Sequence, residues 1–234
     1  MEPDYTAKIE SYKRKNLAEV ANGLPKDKDA KLLEQCSALC LSDEDTKETF
    51  AFLNSDSVAA RVMRALHYAK KPSRQNVYEA AFLDFLHDKY PFHTVRSLPS
   101  KGPLAIYPEQ GAIVRSPEKS QENRAKSFDF LIEGDGRVIH VAHKFTNEEG
   151  GAQDNQYNDL IETGKQCRGL RGCAGVLLVP DGPYYLRPHS RDHRIARTDF
   201  LKRLVGAEPN VAACRGAEFS LTFAGLGRSM TASL

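Results

Sequence analysis

The sequence predicts an α/β fold, a mixed central sheet flanked by helices and preceded by an N-terminal helical region. Three observations predict it. The stretch from Lys126 to Asp159 reads as two β-rich runs, Ser127 to Ile132 and Arg137 to Thr146, on either side of the Asp-Gly turn signal in Glu133-Gly134-Asp135-Gly136. Gly172 to Pro180, GCAGVLLVP, is a continuous apolar run suited to a strand buried on both faces. Segments with helical apolar spacing precede, separate and follow these runs, and the order helix, strands, helix, strand, helix is that of a sheet covered by helices.

The 234 residues, 41% hydrophobic and 27% charged, suffice to bury a full core. They read as a helical region over residues 1–72, for packing, dimerisation or DNA contact, and a core over residues 73–234, together one compact domain. Mean hydropathy is -0.50, and no apolar run approaches the roughly 18 residues of a membrane span. The opening MEPDYTAKIESYKRKN has no apolar stretch of a secretion signal, so the expected compartment is the cytoplasm. A net charge of +2 neither requires nor excludes nucleic acid, and the distribution of charge matters more. Cys36, Cys40, Cys167, Cys173 and Cys214 make an odd number, as expected for free thiols in a reducing compartment. Neither close pair has the CxxC spacing of a zinc knuckle.

Tyr5 to Val20 is rich in helix formers and stops at Asn22-Gly23-Leu24-Pro25. Asp27 to Leu41 is a second helix. A third starts at the capping run Ser42-Asp43-Glu44-Asp45 and ends near Leu53. A fourth, Ser57 to Ala69, places Val58, Val62, Ala65 and Leu66 on one face. Ser73 caps a helix over Asn76 to Lys89, with Glu79 in its first turn. There Glu79 either faces solvent and favours the helix dipole or points inward as an accessory acid. Residues 91–126, with five prolines, read as loops around a short strand, Gly111 to Arg115. After the central hairpin come a helix over Gln153 to Gln166 and the buried strand. A turn at Asp181-Gly182-Pro183 leads to an edge segment Tyr184-Tyr185-Leu186, a helix over Thr198 to Val205 and a last strand pair within Asn210 to Ala224.

Side chains alternate along a strand, so Val138, His140, Ala142 and Lys144 share one face of the second run, and Ile139, Val141 and His143 the other. An acid, Asp129, lies in the first run and Lys144 ends the second. Such a pair on adjacent strands can hold a divalent metal and a water beside a phosphate. The helix carrying Glu79, the strand with Asp129 and the strand ending Ala142-His143-Lys144 resemble the core of the PD-(D/E)xK nucleases, which include most Type II restriction endonucleases. FTNEEGGAQDNQYNDL resembles the Gly-Gly and Gln-rich continuation of several restriction enzymes, and Gln153 and Tyr157 match the Q-x-x-x-Y pattern of some related nucleases. The likeness covers roughly residues 76 to 186.

The resemblance implies a restriction-endonuclease-like core and Mg²⁺-dependent hydrolysis of double-stranded DNA, with Mn²⁺ or Ca²⁺ able to substitute for binding. Asp129 would hold the metal, the His143 carbonyl would face it, and Lys144 would act as base or charge stabiliser. In the family, the residue two before the lysine is Glu or Asp; here it is Ala142, which supplies no ligand. Three explanations stand: an acid-to-alanine change introduced to trap an intact DNA complex, which is preferred; a natural pseudonuclease; or another acid, Glu79, Glu148 or Glu149, taking over. His140 is a softer choice for magnesium.

For DNA, two basic clusters stand out. Arg187, Arg191, Arg194, Arg197, Lys202 and Arg203 form one, and Lys165, Arg168 and Arg171 the other; arginines can bind phosphates or guanine edges. Gln153, Asn155 and Asn158 could read adenine edges or simply cap and pack their helix. The expectation is a Type II-like restriction endonuclease, a homodimer suited to a palindromic site, with Ala142 impairing this chain. The alternatives are a repair or defence nuclease of the same fold, a DNA-binding module without catalysis, and an oligomeric interaction protein.

Overall fold

The computed structural model describes residues 2–22, 42–68, 75–147, 151–172, 174–190 and 193–226. The expected helix over Asp27 to Leu41, the thiols Cys36, Cys40 and Cys173, and Glu148, Glu149, Ser73 and Arg191 lie outside them. The chain divides into two compact units, residues 6–77 and residues 1–5 together with 78–234.

The first unit is helical. Helix α1 spans Tyr5–Asn22, α2 spans Asp43–Leu53 and α3 spans Val58–Tyr68. Ser42 caps α2, its hydroxyl accepting the Asp45 amide at 3.1 Å, and Asp43, Glu44 and Asp45 complement the helix dipole. Ser57 does the same for α3, accepting the Ala60 amide at 3.2 Å. Val58 and Val62, expected on an apolar packing face, are both exposed.

The second unit is built on a five-stranded mixed sheet in the order β1-β4-β5-β6-β9. Its strands are β1 (Thr94–Ser97), β4 (Phe130–Gly134), β5 (Arg137–Phe145), β6 (Ala174–Asp181) and β9 (Val211–Ala213). β4 runs antiparallel to β1 and β5, while β5, β6 and β9 are parallel to one another. The β4–β5 connection has two residues. Asp135 and Gly136 both take positive φ, 50° and 72°, the geometry that matches a two-residue loop to the strand twist. A separate hairpin pairs β2 (Ile106–Glu109) with β3 (Ala112–Arg115) and turns at Gln110 and Gly111, again at positive φ.

Helix α4 (Gln75–Lys89) contributes Phe82, Phe85 and Leu86 to a buried cluster that also holds Phe130, Ile139 and Val141 from the sheet. A second cluster joins Tyr157 and Leu160 of α5 (Gly151–Gln166) and Leu201 and Val205 of α6 (Arg197–Val205) to Ala142, Val176 and Leu178. Alternation along β5 and β6 thus feeds both clusters, which is why β6 is buried from Gly175 to Pro180.

Three expectations are corrected. Residues 91–126 carry β1 and β2 as well as β3, because the backbone of Thr94–Ser97 completes the β4 edge and Ile106–Glu109 pairs with β3. Tyr184 and Tyr185 are not an edge segment. Pro183 opens a 3₁₀ turn over Pro183–Leu186 that drives both rings into the core, where neither is exposed. Only Val211–Ala213 of the last expected strand pair is a strand; Phe219–Gly225 is a helix, α7, whose Phe219 and Phe223, four apart, both bury in the α4 cluster. The remaining short pair, β7 (Pro188–Ser190) with β8 (His193–Ala196), lies between β6 and α6.

Two glycines separate conformational strain from crowding. Gly136 has φ 72° and open space where a Cβ would stand, whereas Gly182 has φ 97° and a Cβ there would strike the Thr146 carbonyl. Gly136→Ala is expected to cost about 1–2 kcal/mol, the left-handed penalty alone. Gly182→Ala should cost clearly more, and urea denaturation of the two variants reads the difference.

Candidate functional site

β4 and β5 part company at Asp129. The Asp129 amide still donates to the Val141 carbonyl at 2.8 Å, and its carbonyl accepts from Leu98 at 2.8 Å. One residue earlier the chain has left β5, since the Phe128 amide donates to Ile106 at the β2 hairpin, 2.9 Å away. The next β5 amide on that side, His143, therefore meets no β4 backbone and donates instead to Asp129 Oδ2 at 2.7 Å. The carboxylate substitutes for a missing strand.

Lys144 completes this arrangement. Its Nζ lies 3.0 Å from Asp129 Oδ2 and 3.2 Å from Oδ1, and the two side chains are 12% and 14% exposed. Ala142 is on the same face of β5 but at 5% exposure belongs to the apolar cluster of Tyr157 and Leu160. His143 points to the other face and is fully buried, its ring stacked on Phe82 at 4.3 Å. His140 is also buried, against Phe128 at 5.2 Å, and burial drops its pKa to about 4, so it is neutral and packed.

Glu79 of α4 lies within electrostatic reach of this pair. Burial first, and the Asp129 charge second, raise its carboxyl above the ordinary value, with Lys144 opposing them. Glu79 is half-buried rather than fully turned to solvent. A further acid was missed by sequence reasoning: Asp159 of α5. It is raised by burial and by Asp129, and lowered by Lys126 and Lys144. Its sequence position does not mark it; a contact of the folded chain sets its face of the helix. Gln156 accepts from the Thr146 hydroxyl at 2.8 Å just past β5, and a residue three further on shares that face. Lys126, exposed on the chain leading into β4, also contributes its charge here.

Among the described residues, those expected to contact DNA lie on several elements. Asn155 and Asn158 are exposed on α5, and Gln153 is half-buried there. Arg187 is exposed just after the 3₁₀ turn that follows β6. Arg168 and Arg171 are exposed in the turn that enters β6. That strand begins opposite Val138, whereas Lys144 stands opposite Pro180, so the turn lies about 20 Å along the strand from the acid–lysine pair. Arg194 is in β8. Two other members of the basic run have internal partners. Arg197 is buried, 4.0 Å over the Tyr184 ring and donating to the Pro188 carbonyl at 2.8 Å, and Lys202 pairs with Glu218 at 3.0 Å. Cys167 and Cys214 are free and buried, with burial pushing each thiol up to about 12.

As they stand, these residues do not fit a magnesium ion. The Ala142 side chain offers no oxygen, the Asp129 carboxylate is engaged by Lys144 and the His143 amide, and among the described residues no three His, Cys, Asp or Glu side chains converge as a metal-holding group. Nor, among those residues, is any helix long and apolar enough to cross a membrane. Comparison with protein-family models, with curated proteins and with solved structures finds no match to this chain.

The raised carboxyl of Glu79 sets a pH dependence. Its folded-state pKa lies above the unfolded one, so ionisation costs the folded chain stability. The loss begins as pH rises past the ordinary value of about 4.3 and is complete above the raised pKa. Glu79→Gln removes it. Relative to the parent, the variant should therefore gain stability between pH 4 and pH 7 in urea denaturation; a difference independent of pH would contradict the placement of Glu79.

Proposed function

We propose that this chain is a Type II-like restriction endonuclease of the PD-(D/E)xK kind, acting as a homodimer on double-stranded DNA, with its nuclease centre one acid short at Ala142. The observation that carries this reading is the meeting of Asp129 and Lys144 where two paired strands diverge, at the C-terminal end of the parallel pair β5–β6. Lys144 offers a phosphate oxygen a fixed positive charge held in a partly water-excluded place. Glu79 and Asp159 add carboxyls beside it. These are the side-chain types that phosphodiester cleavage needs, and the strand position two before the lysine is the one that lacks its acid.

Ala142→Glu tests the proposal. The variant, incubated with Mg²⁺ and circular DNA of mixed sequence, is expected to yield discrete fragments where the parent yields none. A folded variant that never cuts would count against it. Smearing rather than bands would favour a repair or defence nuclease of the same fold. A second reading, a protein that binds DNA without cutting it, is favoured by one observation: Ala142 is buried in an apolar cluster. An Ala142→Glu protein that binds DNA in a salt-dependent way but never cleaves would support that reading.

A further inference from the structure

The face of β5 opposite Lys144 is held by a residue near the start of the chain. Tyr5 belongs to the sheet unit, and its ring packs 4.1 Å from Phe145 and edge-on to Tyr78 at 6.1 Å. Its hydroxyl donates to Asp181 Oδ2 at 2.5 Å and lies 2.9 Å from His143 Nε2. A phenol carries one proton. With that proton given to Asp181, the oxygen meets His143 as an acceptor, so His143 carries its ring proton on Nε2. The chain of bonds then runs from the imidazole through the phenol to the carboxylate, which is further held by the Gly182 amide at 3.2 Å.

His143 is also the residue whose backbone amide fixes Asp129 Oδ2 at 2.7 Å. At that point β4 has turned away, and among the described residues no strand steadies this side of β5. The ring of His143, stacked on Phe82 and bonded to Tyr5, supplies the constraint from the side chain. We propose that Tyr5 is a positioning residue of the acid–lysine centre, acting through His143 to set the orientation of the Asp129 carboxylate and with it the Lys144 ammonium. The proposal rests on the reading of Asp129 and Lys144 as a nuclease centre. Tyr5 and Asp181 line a cavity of about 190 Å³ with Glu2 and Arg215, so in Tyr5→Phe a water can take the place of the hydroxyl beside Asp181. The ring contacts that hold the fold remain.

The test uses the full chain labelled with ¹⁵N and compares it with Tyr5→Phe by NMR. Tyr5→Phe should move the Nε2 resonance of His143 and shift its backbone amide proton upfield, by more than any other β5 amide, as the bond to Asp129 lengthens. In the Ala142→Glu background, the same change should lower kcat about tenfold, within what a sub-ångström misplacement brings, and leave KM for DNA unchanged. A folded Tyr5→Phe protein whose His143 signals stay in place overturns the proposal. If Tyr5→Phe does not fold, Asp181→Asn carries the same test with the phenol retained; unmoved His143 signals there overturn the proposal as well. The amide shift reads positioning alone, and cleavage reads the nuclease centre, so the two fail separately.

Discussion

The Asp129 carboxylate does the work of a strand. Where the chain before β4 turns away toward the β2 hairpin, β5 continues for several residues unpaired by β4, and a backbone amide left there without a partner costs about 1–3 kcal/mol. One carboxylate oxygen takes the His143 amide, and both oxygens take the Lys144 ammonium. A single side chain thus satisfies the opened edge of the sheet and neutralises a cation that is mostly out of water. Remove it and both are orphaned. The divergence of the two strands and the pairing of the acid with the lysine are one feature, and the notch they make is the place where chemistry is proposed.

Around that notch the molecule is asymmetric in a useful way. One sheet face is aromatic and dry, built on Phe82, Phe85, Phe130 and Phe219, and it fixes β5 through His143. The other begins as an apolar cluster under Tyr157 and Leu160 and becomes charged only at the strand ends, where Lys144, Asp129, Asp159 and Lys126 interact. Ala142 sits at this boundary. Its methyl group is compatible with the apolar side, and a longer acidic side chain would have to reach past it to the charged side. The proposed function turns on that single position.

Much of this was legible in the sequence because it is local. The Asp-Gly pair specified the β4–β5 turn, the apolar run specified β6, and period-two alternation correctly put Lys144 and Ala142 on one face and His143 on the other. The acid–lysine pairing followed from those two strands. What escaped reading depends on distant partners. Tyr184 and Tyr185 look like a short edge segment until Arg197 and α5 are folded over them. Phe219 and Phe223 fit a strand as well as a helix until α4 offers them a surface. Asp159 is an ordinary helix acid in sequence and meets the centre only because Tyr157 and Leu160 dock its helix on the sheet. Tyr5 acts on His143 from 138 positions away, a separation over which no periodicity carries information.

The most direct measurement of whether Ala142 is the gap in this centre is Mn²⁺ uptake, followed through the electron paramagnetic resonance signal of the free ion. If the centre is complete but for one acid, Ala142→Glu should bind Mn²⁺ at least about tenfold more tightly than the parent chain, the effect of roughly 1.4 kcal/mol, and Asp129→Ala in that background should abolish the gain. Equal uptake by the parent and Ala142→Glu, or a gain that survives the loss of Asp129, would contradict the account.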